Sequence, residues 1–179
     1  MLVRSLLMTA AALALAATTA TAQKVVETKV GDGGSPHEVV EWNIQGAKIT
    51  LSYGRPYLKA RPLAKIDPAF EMTGKVWRTG ADAATTLTTD KMLMIGSLMI
   101  PAGTYTLYTV PGPKTWKLVV SKQTGQWGTE YHEDRDLGRS DLTVSTLPKP
   151  AEQVTIGFAD SAFTVDWGTV RASAPFMVH

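Results

Sequence analysis

Apolar and polar side chains alternate along most of the sequence after residue 36, and this is the period of a β-strand. Between Val40 and Ile44 every second residue is apolar, with Glu41 and Asn43 at the positions between. Such a strand buries one face and exposes the other, as antiparallel strands beside a core do. The same alternation, or a β-branched and aromatic run, predicts further strands at 49–53, 86–88, 91–95, 98–100, 104–110, 116–120, 154–158, 163–167 and 170–178.

Turn signals separate these predicted strands. Gln45-Gly46 lies between two alternating runs and predicts a hairpin, and Gly96-Ser97 predicts another turn. No segment after residue 35 keeps a helical apolar stripe for more than two turns. Many short strands joined by turns are typical of sandwiches and barrels. We therefore predict a single all-β domain over 37–179, an antiparallel and jelly-roll-like β-sandwich.

The segment 55–82 interrupts the strand pattern. Its three prolines, Pro56, Pro62 and Pro68, exclude a long regular element. We predict one long proline-containing loop with at most a short helical turn at 63–66. The loop is rich in arginine, lysine and aromatic residues, a combination that suits planar anions and sugars through forked hydrogen bonds and ring stacking.

This loop supplies most of the predicted ligand-binding residues, and we expect the region around Trp77 to face outward. Trp127, which precedes a glycine in another predicted loop, is the tryptophan most expected at a surface site. The alternative is structural: a salt bridge between Arg78 and Asp82 holds the loop on the domain. The predicted ligand-binding residues are Arg55, Arg61, Trp77, Arg78, Thr79, Asp82 and Trp127.

Residues 1–22 have the composition of a secretory signal peptide. A positive charge at Arg4 precedes an apolar run over 5–17, and Ala20-Thr21-Ala22 fits a small-x-small cleavage site. Residues 23–36 follow as a predicted flexible leader, because 31–36 is rich in glycine and polar residues. We therefore expect a periplasmic or extracellular protein. The chain has no cysteine, so we expect neither disulfides nor a lipid-modified cysteine as an anchor.

Composition excludes several classes of partner. The net charge is +2, and cleavage after Ala22 would remove Arg4 and leave 17 − 16 = +1, too little to predict nucleic-acid binding. No apolar run outside the first 22 residues reaches the roughly 20 residues that span a bilayer. The acidic stretch 130–136 lacks the spacing of a calcium loop, and the three histidines lack that of a zinc motif. We expect no cofactor, no metal and a small-molecule ligand, and the sequence predicts no oligomeric state.

Several blocks of sequence share the order of a known family. They are Thr50-Leu51-Ser52-Tyr53-Gly54-Arg55-Pro56, Val76-Trp77-Arg78-Thr79-Gly80-Ala81-Asp82, Ile100-Pro101-Ala102-Gly103-Thr104-Tyr105-Thr106-Leu107, Gln126-Trp127-Gly128 and the acidic stretch 131–136. Together they resemble domain-of-unknown-function family 2911, a family of exported bacterial proteins. Asparagine is the commoner residue of that family where this chain has Asp82. The resemblance implies an exported single-domain protein and implies no activity.

Three classes of function stay open at this point. The leading hypothesis is an exported, non-catalytic domain that binds a small polar or anionic ligand, such as a saccharide, at the loop 55–82. The second is a hydrolase that uses Asp82 with Glu130 or Asp134 as paired carboxylates. The third is a cell-envelope module whose loops bind a partner protein. The sequence contains no nucleophile-elbow motif and no phosphate-binding glycine loop.

Overall fold

The computed structural model describes residues 23–71, 74–159 and 161–179, and these residues form an all-β structure, as predicted. Three short 3₁₀ turns accompany the strands, at Leu63–Lys65, Pro68–Glu71 and Glu133–Arg135. Within the described residues no helix is long or apolar enough to cross a membrane. The predicted signal peptide, 1–22, lies outside the described part of the chain.

The strands are β1 (Gln23–Val30), β2 (Pro36–Ile44), β3 (Ala47–Gly54), β4 (Thr86–Thr89), β5 (Leu93–Ile95), β6 (Leu98–Ile100), β7 (Gly103–Val110), β8 (Thr115–Ser121), β9 (Asp136–Ala159) and β10 (Ala162–Val178).

All ten described strands belong to one antiparallel sheet, in the order β1-β2-β3-β4-β7-β8-β9-β10-β5-β6. Strand β10 connects two parts of this order, because its residues 162–173 pair with β9 and its residues 176–178 pair with β5. The predicted C-terminal strand at 170–178 is the second half of β10. A jelly-roll-like sandwich is not confirmed, since the hydrogen-bonded order continues through the ten strands without a division into two sheets.

The alternation in the sequence places the core on one face of the strands. Trp42 of β2 pairs with Ile49 of β3, and Val40 pairs with Leu51, so that all four side chains are buried. The other strands add further buried aliphatic and aromatic side chains, among them Leu87, Leu107, Trp116, Leu118, Val120, Val154, Ile156, Phe158, Phe163, Val165 and Trp167. Because the chain has no cysteine, this packing holds the fold together without disulfides.

The N-terminal strand differs from the sequence prediction. The sequence predicts a flexible leader over 23–36, whereas the structure has β1 paired with β2 and a turn at 31–34. All eight residues of β1 are exposed. A strand that gives no side chain to the core has no apolar face to alternate with a polar one, so the pattern could not reveal it. Backbone pairing to β2 forms this strand instead.

The predicted long loop between β3 and β4 is present, and it contains two 3₁₀ turns where the sequence predicts at most one. The second turn places Phe70 in the core. Phe70 packs edge to face on Trp77 with ring centroids 4.8 Å apart, and Trp77 stacks on Trp167 at 5.5 Å. The indole of Trp77 is 1% exposed, so it faces the core and not outward as expected. Two aromatic side chains therefore fix the loop to the core.

Candidate ligand-binding site

Backbone pairing explains why Trp77 points inward and Arg78 outward. The segment around Trp77 pairs with β7 beyond the N-terminal end of β4. Trp77 N donates to Thr109 O at 2.7 Å, and Thr109 N donates to Trp77 O at 3.0 Å. Side chains of an extended segment alternate in direction. Trp77 and Thr79 are accordingly buried, while Arg78 between them is partly exposed. Arg78 is thus held at the surface on a fixed backbone.

The turn after Arg78 packs closely against two glycines. Thr79 and Asp82 have positive φ, 55° and 63°. A Cβ atom at Gly54 would lie 2.9 Å from the carbonyl carbon of Ala81, and one at Gly128 would lie 2.7 Å from Asp82 O. Glycine at both positions lets the backbones approach. Positive φ at non-glycine residues concentrates at functional sites, which makes this turn a reason to search its surroundings.

A pocket of about 280 Å³ opens beside this turn, and we refer to it as the Arg78 pocket. Lys75 and Arg78 of the long loop line it, together with Tyr108 of β7 and Tyr131 of the segment before β9. Arg78 is the one predicted ligand-binding residue in this lining. The pocket joins two segments, 55–82 and 130–136, that the sequence had indicated separately. Its other lining residues are Asp67, Pro68, Ala69, Val76, Gly128 and Thr129.

The guanidinium of Arg78 has no internal partner at this pocket. No hydrogen bond or ion pair joins it to another described residue, and its Nε is buried. The salt bridge between Arg78 and Asp82, the structural alternative, is not formed within the described part of the chain. A buried donor that lacks an acceptor costs about 1–3 kcal/mol, more when it is charged. An anion in the pocket would supply an acceptor to the terminal nitrogens of this guanidinium, Nη1 and Nη2, which are not among the buried atoms.

Two tyrosine rings form another part of the wall. The rings of Tyr108 and Tyr131 meet edge to face with centroids 5.1 Å apart. Tyr108 OH donates to Glu130 O at 2.8 Å, and Tyr131 OH donates to Asp136 Oδ2 at 2.8 Å. Burial raises the pKa of both phenols, and with the adjacent Asp136 carboxylate it raises the pKa of Tyr131 to about 12. Both rings therefore stay uncharged at neutral pH, with Tyr108 almost fully buried beneath the partly exposed Tyr131.

The charges of the lining favour an anion. Lys75 and Arg78 contribute two positive charges, and within this lining Asp67 is the one carboxylate. Asp67 Oδ1 accepts a hydrogen bond from Ala69 N at 2.9 Å, which uses part of its capacity inside the protein. The remaining excess of positive charge suits a ligand with one negative group.

The carboxylate of Asp82 lies against the turn 31–34 and does not line the Arg78 pocket. Its two oxygens take the space that a Cβ atom would need at Gly31 or Gly33. Asp82 and His37 are each 5% exposed, and neither Asp82 Oδ2 nor His37 Nδ1 has a hydrogen-bond partner among the described residues. Burial lowers the pKa of His37, and the negative charge of Asp82 partly offsets that shift. Asp82 thus connects the long loop to the N-terminal turn.

The hydrolase hypothesis pairs Asp82 with Glu130 or Asp134. Within the described chain no hydrogen bond links the Asp82 side chain to either residue, and Asp82 lines neither the Arg78 pocket nor the depression that contains Asp134. Asp134 instead lines a broader depression of about 510 Å³ with Lys122, His132 and other surface residues. In the part of the chain that the structure describes, no three His, Asp or Glu side chains converge where a metal ion could sit.

Two of the predicted arginines bind other parts of the protein. Arg55 donates from Nε to Val154 O at 2.9 Å and from Nη2 to Thr155 Oγ1 at 3.0 Å, and its Nη1 lies 2.7 Å from Glu38 Oε1. Arg61 is exposed and donates to two carbonyls of its own loop. Arg55 therefore anchors the start of the long loop on β2 and β9, and Arg61 stabilises a local turn.

The remaining predicted residues lie around the pocket without lining it. Thr79 is buried and donates from Oγ1 to Trp77 O at 3.2 Å and to Thr109 Oγ1 at 3.1 Å. Trp127 is 38% exposed, and its backbone forms a bridge with Ala83. These residues shape the backbone on which Arg78 and Gly128 sit.

Sequence reasoning missed Tyr108, Thr129 and Asp67 as lining residues. Tyr108 had a usable signal, because Leu107 beside it belongs to the core face of β7 and an alternating strand turns its next side chain to the other face. That face of β7 is itself covered, and Tyr108 is 1% exposed, so it contributes to the base of the pocket. Thr129 and Asp67 carry no comparable pattern, since both lie in loops whose folding depends on contacts distant in sequence.

Comparison with known proteins identifies a family. Residues 35–176 match the family described as a protein of unknown function (DUF2911). Neither a curated protein nor a solved structure matches the chain. The matched residues include the complete lining of the Arg78 pocket and reach from the turn before β2 into β10. Because the match covers most of the sequence, this chain belongs to the DUF2911 family.

Proposed function

We propose that the protein binds a small anionic ligand, a monosaccharide-sized carboxylate, in the Arg78 pocket and does not catalyse a reaction. The observation that carries the proposal is a guanidinium without an internal partner on the wall of a pocket of about 280 Å³. Most buried polar groups in proteins are hydrogen-bonded, so one that is not points to a missing partner. Guanidinium and carboxylate groups match in shape and charge.

The size and lining of the pocket support the ligand class. A volume of about 280 Å³ lies just below the usual range for ligand pockets and fits one sugar ring better than an oligosaccharide. Tyr131, which is partly exposed, offers apolar contact to such a ring, Tyr108 supports it from below at 1% exposure, and Lys75 adds a second cation at the rim. We therefore expect a charged monosaccharide to bind and its neutral analogue to bind much more weakly.

Calorimetric titration with glucuronate, and with glucose as the neutral analogue, tests this proposal. We expect glucuronate to bind the unmodified protein and Arg78→Ala to weaken binding by roughly tenfold or more, since a charged hydrogen bond contributes about 1.5–3 kcal/mol. Arg61→Ala is the matched control, because Arg61 is an exposed arginine of the same loop with only local hydrogen bonds. Its affinity for glucuronate should equal that of the unmodified protein.

Two results would refute this function. One is glucuronate binding that Arg78→Ala leaves unchanged, since the ligand would then occupy another site. The other is equal affinity for glucose and glucuronate, since the charge of Arg78 would then be irrelevant. A thermal melting curve of Arg78→Ala shows that the variant is folded, so a loss of affinity cannot be mistaken for unfolding.

Export is part of the proposed function. The signal-like composition of 1–22 supports it, and the absence of cysteine supports a protein without a lipid anchor. We propose a periplasmic or extracellular location. The mass of the protein recovered from outside the cytoplasm checks this, because cleavage after Ala22 would leave Gln23 as the first residue. An intact N-terminus in the cytoplasmic fraction would contradict export.

A further inference from the structure

Strand β1 is one end of the sheet and pairs with β2 alone among the described strands. Every one of its eight residues is exposed, including Val25, Val26 and Val30, which is 75% exposed. The strand at the other end, β6, has only three residues. Edge strands present unpaired backbone N–H and C=O groups, and proteins usually keep them short or cover them. The length and exposure of β1 therefore indicate an edge on which a further strand can pair.

The charges of β1 favour one partner and one register. Glu27 and Lys29 lie on the same face, since they pair with Val39 and His37 of β2, and their charged groups are 3.7 Å apart. Thr28 lies between them. A bulge between Val25 and Glu27 interrupts the strand, so the regular part available for pairing begins at Glu27.

We propose that β1 pairs with β1 of a second copy of this chain, antiparallel and across a two-fold axis at Thr28. This register places Glu27 opposite Lys29 of the second copy, and Lys29 opposite its Glu27, so the interface contains two ion pairs. Opposite charges at facing positions stabilise antiparallel strands, and like charges destabilise them. The symmetry makes the contact self-complementary, as a two-fold interface requires.

Neighbouring symmetric registers are less favourable. An axis at Glu27 would place the two Glu27 side chains opposite each other, and an axis at Lys29 would do the same with the two lysines. The lysine and the bulge, which normally protect an edge from unspecific pairing, here select one register.

Charge-reversal variants test this pairing by sedimentation velocity over a range of protein concentrations. We expect the unmodified protein to form dimers as its concentration rises. Glu27→Lys alone and Lys29→Glu alone should each be monomeric, because like charges then face each other. The double variant Glu27→Lys/Lys29→Glu should dimerise again, and an equal mixture of the two single variants should form mixed dimers.

Three outcomes would overturn the proposal: an unmodified protein that stays monomeric at its highest soluble concentration, dimers that both single reversals leave intact, or a double reversal that does not restore them. Circular dichroism spectra confirm that the variants are folded, which we expect because no side chain of β1 is buried. β1 does not line the Arg78 pocket, so glucuronate titration of the same variants reports on the proposed ligand site independently.

Discussion

Two arginines at opposite ends of one loop have opposite surroundings. Arg55 uses all three of its guanidinium nitrogens inside the protein, on Glu38, Val154 and Thr155. Arg78 has a guanidinium without a partner among the described residues, although its Nε is buried. Both arginines have aromatic neighbours in the sequence, and the sequence pattern predicts anion binding by both. The number of internal partners distinguishes an arginine that holds the fold from one that is available to a ligand.

The two ends of the loop therefore have different roles: the Arg55 end stabilises the fold, and the Arg78 end is available to a ligand. The Arg55 end is anchored by a partly buried ion pair to β2, and the middle is anchored by Phe70 and Trp77 in the core. The Arg78 pocket lies on this fixed base. A rigid scaffold under a binding loop reduces the entropy lost when a ligand binds.

The largest expected effect follows from removing the anchor. Arg55→Ala should lower the free energy of unfolding by about 2–4 kcal/mol, because it leaves the Glu38 carboxylate partly buried without its cation and two acceptors without their donor. Urea unfolding monitored by tryptophan fluorescence measures this loss. Arg78→Ala is the paired measurement and should cost less than about 1 kcal/mol, since no hydrogen bond is lost. Equal losses of unfolding free energy in the two variants would contradict the different roles assigned to Arg55 and Arg78.

A smaller effect is expected where the pocket backbone is most tightly packed. Gly128→Ala would place a Cβ atom 2.7 Å from Asp82 O and 2.8 Å from Arg78 Cδ. We expect a loss of about 1–3 kcal/mol from overpacking, together with weaker glucuronate binding because Arg78 must shift. Gly157→Ala is the matched control, since its Cβ would meet one atom of Trp42 at 3.9 Å. Unchanged affinity in Gly128→Ala would show that Arg78 is not held by this contact.

The smallest expected effect concerns the protonation of His37, which is influenced by Asp82 at the end of the long loop. Burial lowers the pKa of His37; the carboxylates of Asp82, Asp32 and Glu27 oppose this shift, and Lys29 adds to it. The unfolded chain therefore binds a proton on this histidine at higher pH than the folded chain does. Its contribution to stability is present above the ordinary value of 6.5 and is lost as the pH falls below it.

Unfolding free energies from about pH 7.5 down to about pH 5.5 measure this contribution. His37→Gln is the control, because it removes the titrating group and keeps the other histidines and the carboxylates. The unmodified protein should lose more stability than His37→Gln over this range. If the two lose the same amount, His37 does not couple protonation to the fold.

Much of the fold could be predicted because a strand with one buried face has apolar side chains at every second position. The spacing of Trp42, Ile49 and Leu51 places them on the apolar faces of their predicted strands, and all three are buried. The same rule failed for β1, where no residue is buried. It also failed for Trp77, which was assigned to a loop although Trp77, Arg78 and Thr79 alternate as a strand does. The family resemblance is confirmed by the match over 35–176.

The candidate site could be predicted only in part, because long-range folding assembles it. Arg78 was identified from its aromatic and cationic surroundings. Tyr108 and Tyr131 reach the same pocket from β7 and from the segment before β9, and nothing local to either one predicts that meeting. The partners of Arg55 lie 17 to 100 residues away in sequence, so its structural role was equally hidden.

The most direct test follows the side-chain Nε–H signals of Arg55 and Arg78 by NMR during titration with glucuronate. We expect the Arg78 signal to shift progressively as the ligand binds, because its guanidinium gains an acceptor. The Arg55 signal should stay where it is, since its Nε already donates to Val154 O. Saturable binding of glucuronate with no change in the Arg78 signal, or with a change at Arg55 instead, would contradict the central claim that Arg78 is the arginine available to a ligand.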